Sequence, residues 1–124
     1  MTIEHPKAFW DSLPNWAILD GCFGRSNGIR PSDIDGTVER KGACLFLEAK
    51  KTGVAIHAGQ LRLWKVLARQ TQGNLFVIFW KTGRDAVSHL MTIPPWPPVK
   101  RTASLADLRE VVTEWYKRAD ERPI

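Results

Sequence analysis

A predicted β-hairpin carries two carboxylates and an amine at positions from which they could act together. Asp35 lies on its first strand, and Glu48 and Lys50 share one face of its second strand, because alternate side chains along a strand point the same way. A two-residue turn at Lys41-Gly42 would place Asp35 directly opposite Glu48. Two carboxylates so placed repel each other, and they offer the oxygen ligands that a hard divalent cation prefers. The hairpin therefore predicts a cation site.

Two questions about this hairpin stay open at the level of sequence. Asp33 shares the face of Asp35 and competes with it as the ligand, although the register puts Asp33 opposite Lys50 and favours Asp35. The hairpin could instead be a solvated surface feature in which Asp33 pairs with Lys50 and Glu48 pairs with a neighbour. The apolar residues around Glu48 argue for an interior strand, where burying a carboxylate and an amine is costly.

The rest of the chain supplies the elements that must position the hairpin. Residues 75–80 form an apolar run typical of a strand buried on both faces, and Ser104 with Asp107 forms a capping-box variant. A crossover through the helix at 58–72 would make strand 75–80 parallel to the second hairpin strand. In chain order we predict a helix at 4–13, a short strand or core wall at 16–23, strands at 32–40 and 43–51, a helix at 58–72, strands at 75–80 and 87–93, and a helix after Ser104. This order predicts an α/β fold with a mixed sheet, in one domain over residues 1–124.

Charge and hydropathy narrow the class of partner. Eighteen lysines and arginines against thirteen aspartates and glutamates give a net charge of +5 and a pI near 9.6, which favours a polyanion such as nucleic acid. No stretch approaches the roughly 18 apolar residues that a membrane span needs, and residues 1–10 do not resemble a signal peptide. We therefore expect a soluble, cytoplasmic protein with no membrane partner.

The hairpin residues resemble the signature of a known family. Pro31-Ser-Asp-Ile-Asp35-Gly, followed after residues 37–47 by Glu48-Ala-Lys50, is similar to the Asp…Glu-x-Lys motif of the PD-(D/E)XK nuclease superfamily. The predicted order resembles the family's restriction-endonuclease-like αβββαβ core, a mixed central sheet flanked by helices, here with an added C-terminal helix. The likeness spans residues 4–81 and is to compact members such as junction resolvases, RecB-like nucleases and bacteriophage proteins. One departure is that proline precedes Ser32 and not an aspartate.

The resemblance implies a role for each motif residue. Asp35 and Glu48 would bind Mg²⁺ together with the backbone carbonyl of Ala49, and Mn²⁺ would substitute for it. Lys50 would orient or help to deprotonate the attacking water and offset charge on the phosphate. The metal would act as Lewis acid and water activator in the hydrolysis of a phosphodiester.

The resemblance also implies site residues outside the motif. Gln60 and Trp64 are similar to the Gln-x-x-x-Tyr element of RecB-type members, which would add Gln60 to the catalytic residues; otherwise Gln60 is helix surface and Trp64 is core. Many members also take an acidic residue from the first helix. Glu4, Asp11 and Asp20 are the candidates, and the sequence does not select one.

The resemblance implies an Mg²⁺-dependent endonuclease or deoxyribonuclease acting on branched or duplex DNA. A homodimer would suit such an enzyme, since cutting two strands with one site each fits two-fold symmetry. The alternatives are a catalytically silent nuclease-fold protein that binds nucleic acid or a host protein, and an interaction protein whose basic surface is incidental. Basic residues near the site in sequence could hold the DNA backbone or be solvated surface charge: Arg25, Arg30, Lys51, Arg62 and Lys65.

Overall fold

The computed structural model describes residues 15–24 and 31–123 of the chain. Backbone contacts divide the chain into two compact units, residues 1–33 and 34–124. The single domain expected over residues 1–124 stays a prediction, and the helix expected at 4–13 lies outside the described residues. No helix in the described ranges is long and apolar enough to cross a membrane.

In the first unit, a 3-10 helix spans Trp16–Leu19 where a strand or a wall of the core was expected. The side chain of Asn15 accepts a hydrogen bond from the Ala17 N–H at 3.1 Å, and this local bond stabilises a turn in place of an extended strand. The helix contains no buried residue, and Phe23 beyond it is also exposed. The prediction for residues 16–23 is therefore wrong.

The second unit is a five-stranded mixed sheet, with helices covering both of its faces. The strands are ordered β1-β2-β3-β4-β5 across the sheet; β2 and β3 are parallel, and the other neighbours are antiparallel. The elements are β1 (Gly36–Arg40), β2 (Ala43–Lys51), α1 (Ala58–Arg69), β3 (Leu75–Lys81), β4 (Val87–Ile93), β5 (Arg101–Thr102) and α2 (Leu105–Asp120). This arrangement confirms the α/β class, the mixed sheet and the parallel crossover from β2 to β3.

The hairpin turn is the two-residue turn that the sequence predicts. Lys41 and Gly42 have φ values of 50° and 85°, the left-handed conformation that matches the twist of a tight hairpin. The register runs from Gly36 opposite Leu47 to the residues beside the turn, as expected. The first strand is shorter than predicted, however, and starts at Gly36 instead of residue 32, so the residues ahead of it are not strand.

The two faces of the sheet carry separate apolar clusters. Trp64 of α1 stacks on Phe76 with ring centroids 4.9 Å apart, in the cluster that joins α1 to one face. On the other face, Trp115 of α2 packs in the second cluster and donates a hydrogen bond to the Gly73 carbonyl at 2.8 Å. β3 contributes to both clusters, which confirms its burial on both faces. The predicted Ser104 capping box at the start of α2 is also present.

Helix α1 ends at Arg69, three positions earlier than predicted, because the buried side chain of Asn74 binds a backbone carbonyl in its last turn. The Asn74 amide donates to the Leu67 carbonyl at 3.1 Å and accepts from the Cys44 N–H at 2.8 Å. The described residues contain β1, β2, α1 and β3 in the chain order that the sequence predicts, and the nuclease-type αβββαβ core stays a prediction. Residues 16–23, which the prediction offered as a strand or a wall of the core, contain the 3-10 helix at Trp16–Leu19 followed by turns.

Candidate functional site

Glu48 and Lys50 lie on the face of β2 that α1 covers, the face they share with Phe46. Their side chains are 10% and 13% exposed, and Glu48 Oε1 is 4.0 Å from Lys50 Nζ. A carboxylate and an ammonium removed from water in this way are costly to the fold. Glu48 and Lys50 are therefore not the solvated surface charges that the alternative interpretation expected, although β1 itself is mostly exposed.

The Lys50 ammonium is held by groups from three directions. It donates a hydrogen bond to Gln60 Oε1 at 3.1 Å, lies 4.0 Å from the Glu48 carboxylate, and is 5.8 Å from the centre of the Trp64 ring. Gln60 is in the first turn of α1, so the β2–α1 crossover brings it to the strand. Trp64 is a buried core residue, as the alternative to the Gln-x-x-x-Tyr interpretation expected, and its ring also faces Lys50. Gln60 is not a plain surface residue of the helix, because it is only partly exposed and contacts Lys50.

Asp35 reaches the backbone of β2 between Glu48 and Lys50. Its Oδ2 accepts a hydrogen bond from the Ala49 N–H at 2.8 Å. If β1 continued, a backbone carbonyl of that strand would accept the hydrogen bond from the Ala49 N–H. The Asp35 carboxylate accepts it instead, which explains why β1 begins only at Gly36. The strand register ends at the Gly36–Leu47 pair, so the placement of Asp35 opposite Glu48 stays a prediction, and the contact that the structure gives for Asp35 is with the Ala49 N–H.

The donor set suits a hard cation on chemical grounds. Asp35, Glu48 and the Ala49 carbonyl all offer oxygen, and Mg²⁺ commonly takes one or two carboxylates while keeping several waters. Within residues 15–24 and 31–123 there is no group of three or more acidic, histidine or cysteine side chains that could hold a metal. The expected set has only two acidic side chains, so these residues fit a site completed by backbone and water oxygens.

The additional acids expected at the site are distributed as follows. Glu4 and Asp11 lie outside the described residues. Asp20 is an exposed residue that ends the 3-10 helix, and Asp33 is exposed ahead of β1; both belong to the first unit. Between the two competing ligands of the hairpin, the contact with Ala49 is made by Asp35.

The expected DNA-binding residues differ in their surroundings. Lys51 is exposed at the end of β2, and Arg62 is exposed on α1. Lys65 is half-buried, and its ammonium lies 4.3 Å from the centre of the Trp96 ring, where it makes a cation–π contact. Arg25 and Arg30 lie outside the described residues.

Two basic residues near the site were missed by the sequence prediction. Lys81 lies beside Lys51 in the parallel pairing of β2 and β3, and Lys100 Nζ is 4.2 Å from the ring of Trp80, the register neighbour of Lys50. The sequence does contain a signal for Lys81, because this lysine directly follows the apolar run at 75–80 and must therefore lie at the end of that strand. Its proximity to Lys51 depends on the register across a helical crossover, which spacing along the chain does not specify.

Comparison with protein-family models, with curated proteins and with solved structures finds no match for this chain. The hairpin geometry and the contacts of its charged side chains are the observations that bear on function.

Proposed function

We propose that this protein is a metal-dependent nuclease of PD-(D/E)XK type that hydrolyses phosphodiester bonds in DNA. The observation that carries the proposal is the pair of largely buried charges at Glu48 and Lys50, placed beside the Ala49 amide that binds Asp35. Charged side chains withdrawn from water are concentrated at functional sites, so this arrangement supports a chemical role.

Each residue of the site has a distinct task in this proposal. Asp35, Glu48 and the Ala49 carbonyl would hold Mg²⁺ or Mn²⁺, which when bound supplies Lewis acidity and activates water. The Lys50 ammonium orients the attacking water and offsets negative charge that develops on the phosphoryl oxygens. Gln60 holds that ammonium in place through a neutral hydrogen bond. The low exposure of Glu48 and Lys50 strengthens these interactions, since the local dielectric is below that of water.

The test is cleavage of duplex, single-stranded and branched DNA with Mg²⁺ or Mn²⁺ by the wild type and by three variants. Asp35→Asn, Glu48→Gln and Lys50→Met should each reduce cleavage by about 100-fold or more, the scale of removing one charge-stabilising group. EDTA should abolish the activity of the wild type. Circular dichroism would verify that each variant is folded.

Matched controls come from an exposed ion pair on α2. Lys117 Nζ and Glu114 Oε1 are 3.6 Å apart, and both side chains are more than half exposed. Lys117→Met and Glu114→Gln make the same chemical changes away from the hairpin and should retain full cleavage. Undiminished activity in all three hairpin variants would exclude this site as the catalytic centre.

A second candidate function is a nuclease-fold protein that binds nucleic acid or a host protein without cutting. The observation that favours it is the use of Asp35 Oδ2 as an acceptor for the Ala49 N–H, which leaves that carboxylate less available to a cation. This candidate predicts that DNA and RNA substrates stay intact with Mg²⁺ or Mn²⁺ and yet shift in gels, in a salt-dependent way. Cleavage that depends on Lys50 would eliminate it.

A further inference from the structure

The carboxyl ends of β2 and β3 form a basic pocket that the proposed reaction does not use. The pocket has a volume of about 310 Å³. Its lining consists of Ala49, Lys50, Lys51, Lys81, Thr82 and Gly83. No acidic residue lines it, and its charged groups are Lys51 and Lys81, since the Lys50 ammonium is bonded to Gln60 on the other face of β2.

Lys51 and Lys81 are direct neighbours across the parallel pair of strands. Adjacent strands lie about 4.8 Å apart, so both ammonium groups can reach the same small volume. The Thr52 N–H donates to the Lys81 carbonyl at 2.9 Å and fixes the two strand ends side by side. Strand alternation puts Lys51 on the face opposite to Lys50, so the pocket reaches the strand ends from the side away from α1.

Neighbouring like charges destabilise a sheet unless a counter-charge lies between them. In the part of the chain that the structure describes, neither Lys51 nor Lys81 forms an ion pair, whereas Arg40 pairs with Asp120 and Lys117 with Glu114. The fold thus places Lys51 and Lys81 at paired positions of neighbouring strands, and neither has a carboxylate partner among the described residues. An anion bound between the two lysines would remove that repulsion.

We propose that this pocket binds a phosphate group, with Lys51 and Lys81 as its ligands. The further assignment of this phosphate to the DNA backbone rests on the proposed nuclease function. The pocket adjoins the candidate active site through Lys50, which lines the pocket while its ammonium contacts Gln60 on the other face of β2. A backbone phosphate held by Lys51 and Lys81 would therefore anchor DNA next to the bond to be cut.

The DNA arm of the test measures binding of a labelled duplex by fluorescence anisotropy in EDTA, where no cleavage occurs, over a range of salt concentrations. Each lost phosphate contact lowers the slope of log Kd against log salt by about 0.9. Lys51→Gln and Lys81→Gln should each reduce the slope by that amount, and the double variant by about 1.8. Lys117→Gln, a lysine on α2 with its own partner, should leave the slope unchanged.

The second arm uses inorganic phosphate and measures the shift in Tm of the wild type and of the double variant. Binding to the folded pocket should raise the Tm of the wild type and not that of the double variant. A phosphate-dependent rise without any change in DNA slope would keep the phosphate site and overturn its assignment to DNA. No rise in Tm and no change in slope would overturn the proposal.

These outcomes are separable from the fate of the nuclease proposal. A reduced slope in a protein that cuts no substrate would support the pocket and contradict the nuclease. Cleavage by the wild type, with slopes and phosphate shifts unaffected by the Lys51 and Lys81 variants, would contradict the pocket alone.

Discussion

The Lys50 ammonium is positioned mainly by a neutral group. Among the described residues, its nearest polar contact is Gln60 Oε1 at 3.1 Å, while the Glu48 carboxylate is 4.0 Å away. An amide oxygen orients the ammonium without cancelling its charge, so the positive charge stays available to a phosphate. A carboxylate in the place of Gln60 would compete with the substrate for the same ammonium.

At the residue scale, we predict that Gln60→Ala lowers the kcat of cleavage by about 10- to 100-fold while KM changes little, because Gln60 positions Lys50 without binding substrate. Gln60→Glu should weaken DNA binding in addition to lowering kcat, since it adds a negative charge beside Lys50. Single-turnover cleavage and anisotropy titrations distinguish the two effects. Gln70→Ala, an exposed glutamine at the other end of α1, is the control; equal rates for the two alanine variants would contradict the role of Gln60.

At the scale of elements, the hairpin turn determines which residues meet at the site. Lys41 and Gly42 both take positive φ, and the Gly42 N–H donates to Glu39 Oε2 at 2.8 Å. If the pairing of β1 with β2 shifted by one residue, the side chains of the shifted strand would point to the opposite face of the sheet. The turn therefore decides that Asp35 reaches Ala49.

We predict that Gly42→Ala lowers the free energy of unfolding by about 1–2 kcal/mol, because an L-residue is disfavoured at the φ of 85° that this position adopts. A Cβ there would meet only Arg122 Nη2 at 3.9 Å, so the cost is conformational and not steric. Urea unfolding measures it. The matched control is Gly59→Ala in α1, where a Cβ meets nothing within 4 Å and should stabilise the helix by up to about 1 kcal/mol. The same sign for both variants would contradict this explanation.

At the scale of the whole molecule, the carboxyl end of α2 is tied to the hairpin turn. Arg40 Nε donates to Asp120 Oδ1 at 2.8 Å, and Lys41 Nζ donates to the Asp120 carbonyl at 2.6 Å. Arg122 Nε adds a bond to the Lys41 carbonyl at 3.2 Å. These contacts join residues about eighty positions apart in sequence, so they stabilise the packing of α2 over the sheet together with the register of the hairpin.

The hydrogen bond from Arg40 lowers the pKa of Asp120 below its ordinary value of 3.8. A carboxyl whose pKa is lower in the folded state stabilises the fold above its unfolded pKa, and the stabilisation is lost as pH falls through the folded pKa. We therefore predict that unfolding by acid below pH 3.8 depends less steeply on pH in Asp120→Asn than in the wild type. Arg40→Gln should have the same effect, and the double variant should add little to either; additive effects would contradict the pairing.

The sequence by itself determined the features that arise from local interactions. Alternation of side chains and the Lys41-Gly42 turn were enough for the hairpin register, the apolar run at 75–80 for a strand buried on both faces, and Ser104 with Asp107 for the start of α2. Each of these depends on neighbours within a few residues or across one tight turn. The shared face of Glu48 and Lys50 follows from the same periodicity.

Only the tertiary structure decided how those elements meet. The start of β1 depends on the hydrogen bond that the Asp35 side chain accepts from the Ala49 N–H. The contact of Lys50 with Gln60 depends on how α1 lies over β2. The pairing of Lys51 with Lys81 depends on the register of two strands separated by a helix. Such contacts arise from packing between distant segments, whose relative position is set by the whole core and leaves no signal in local spacing.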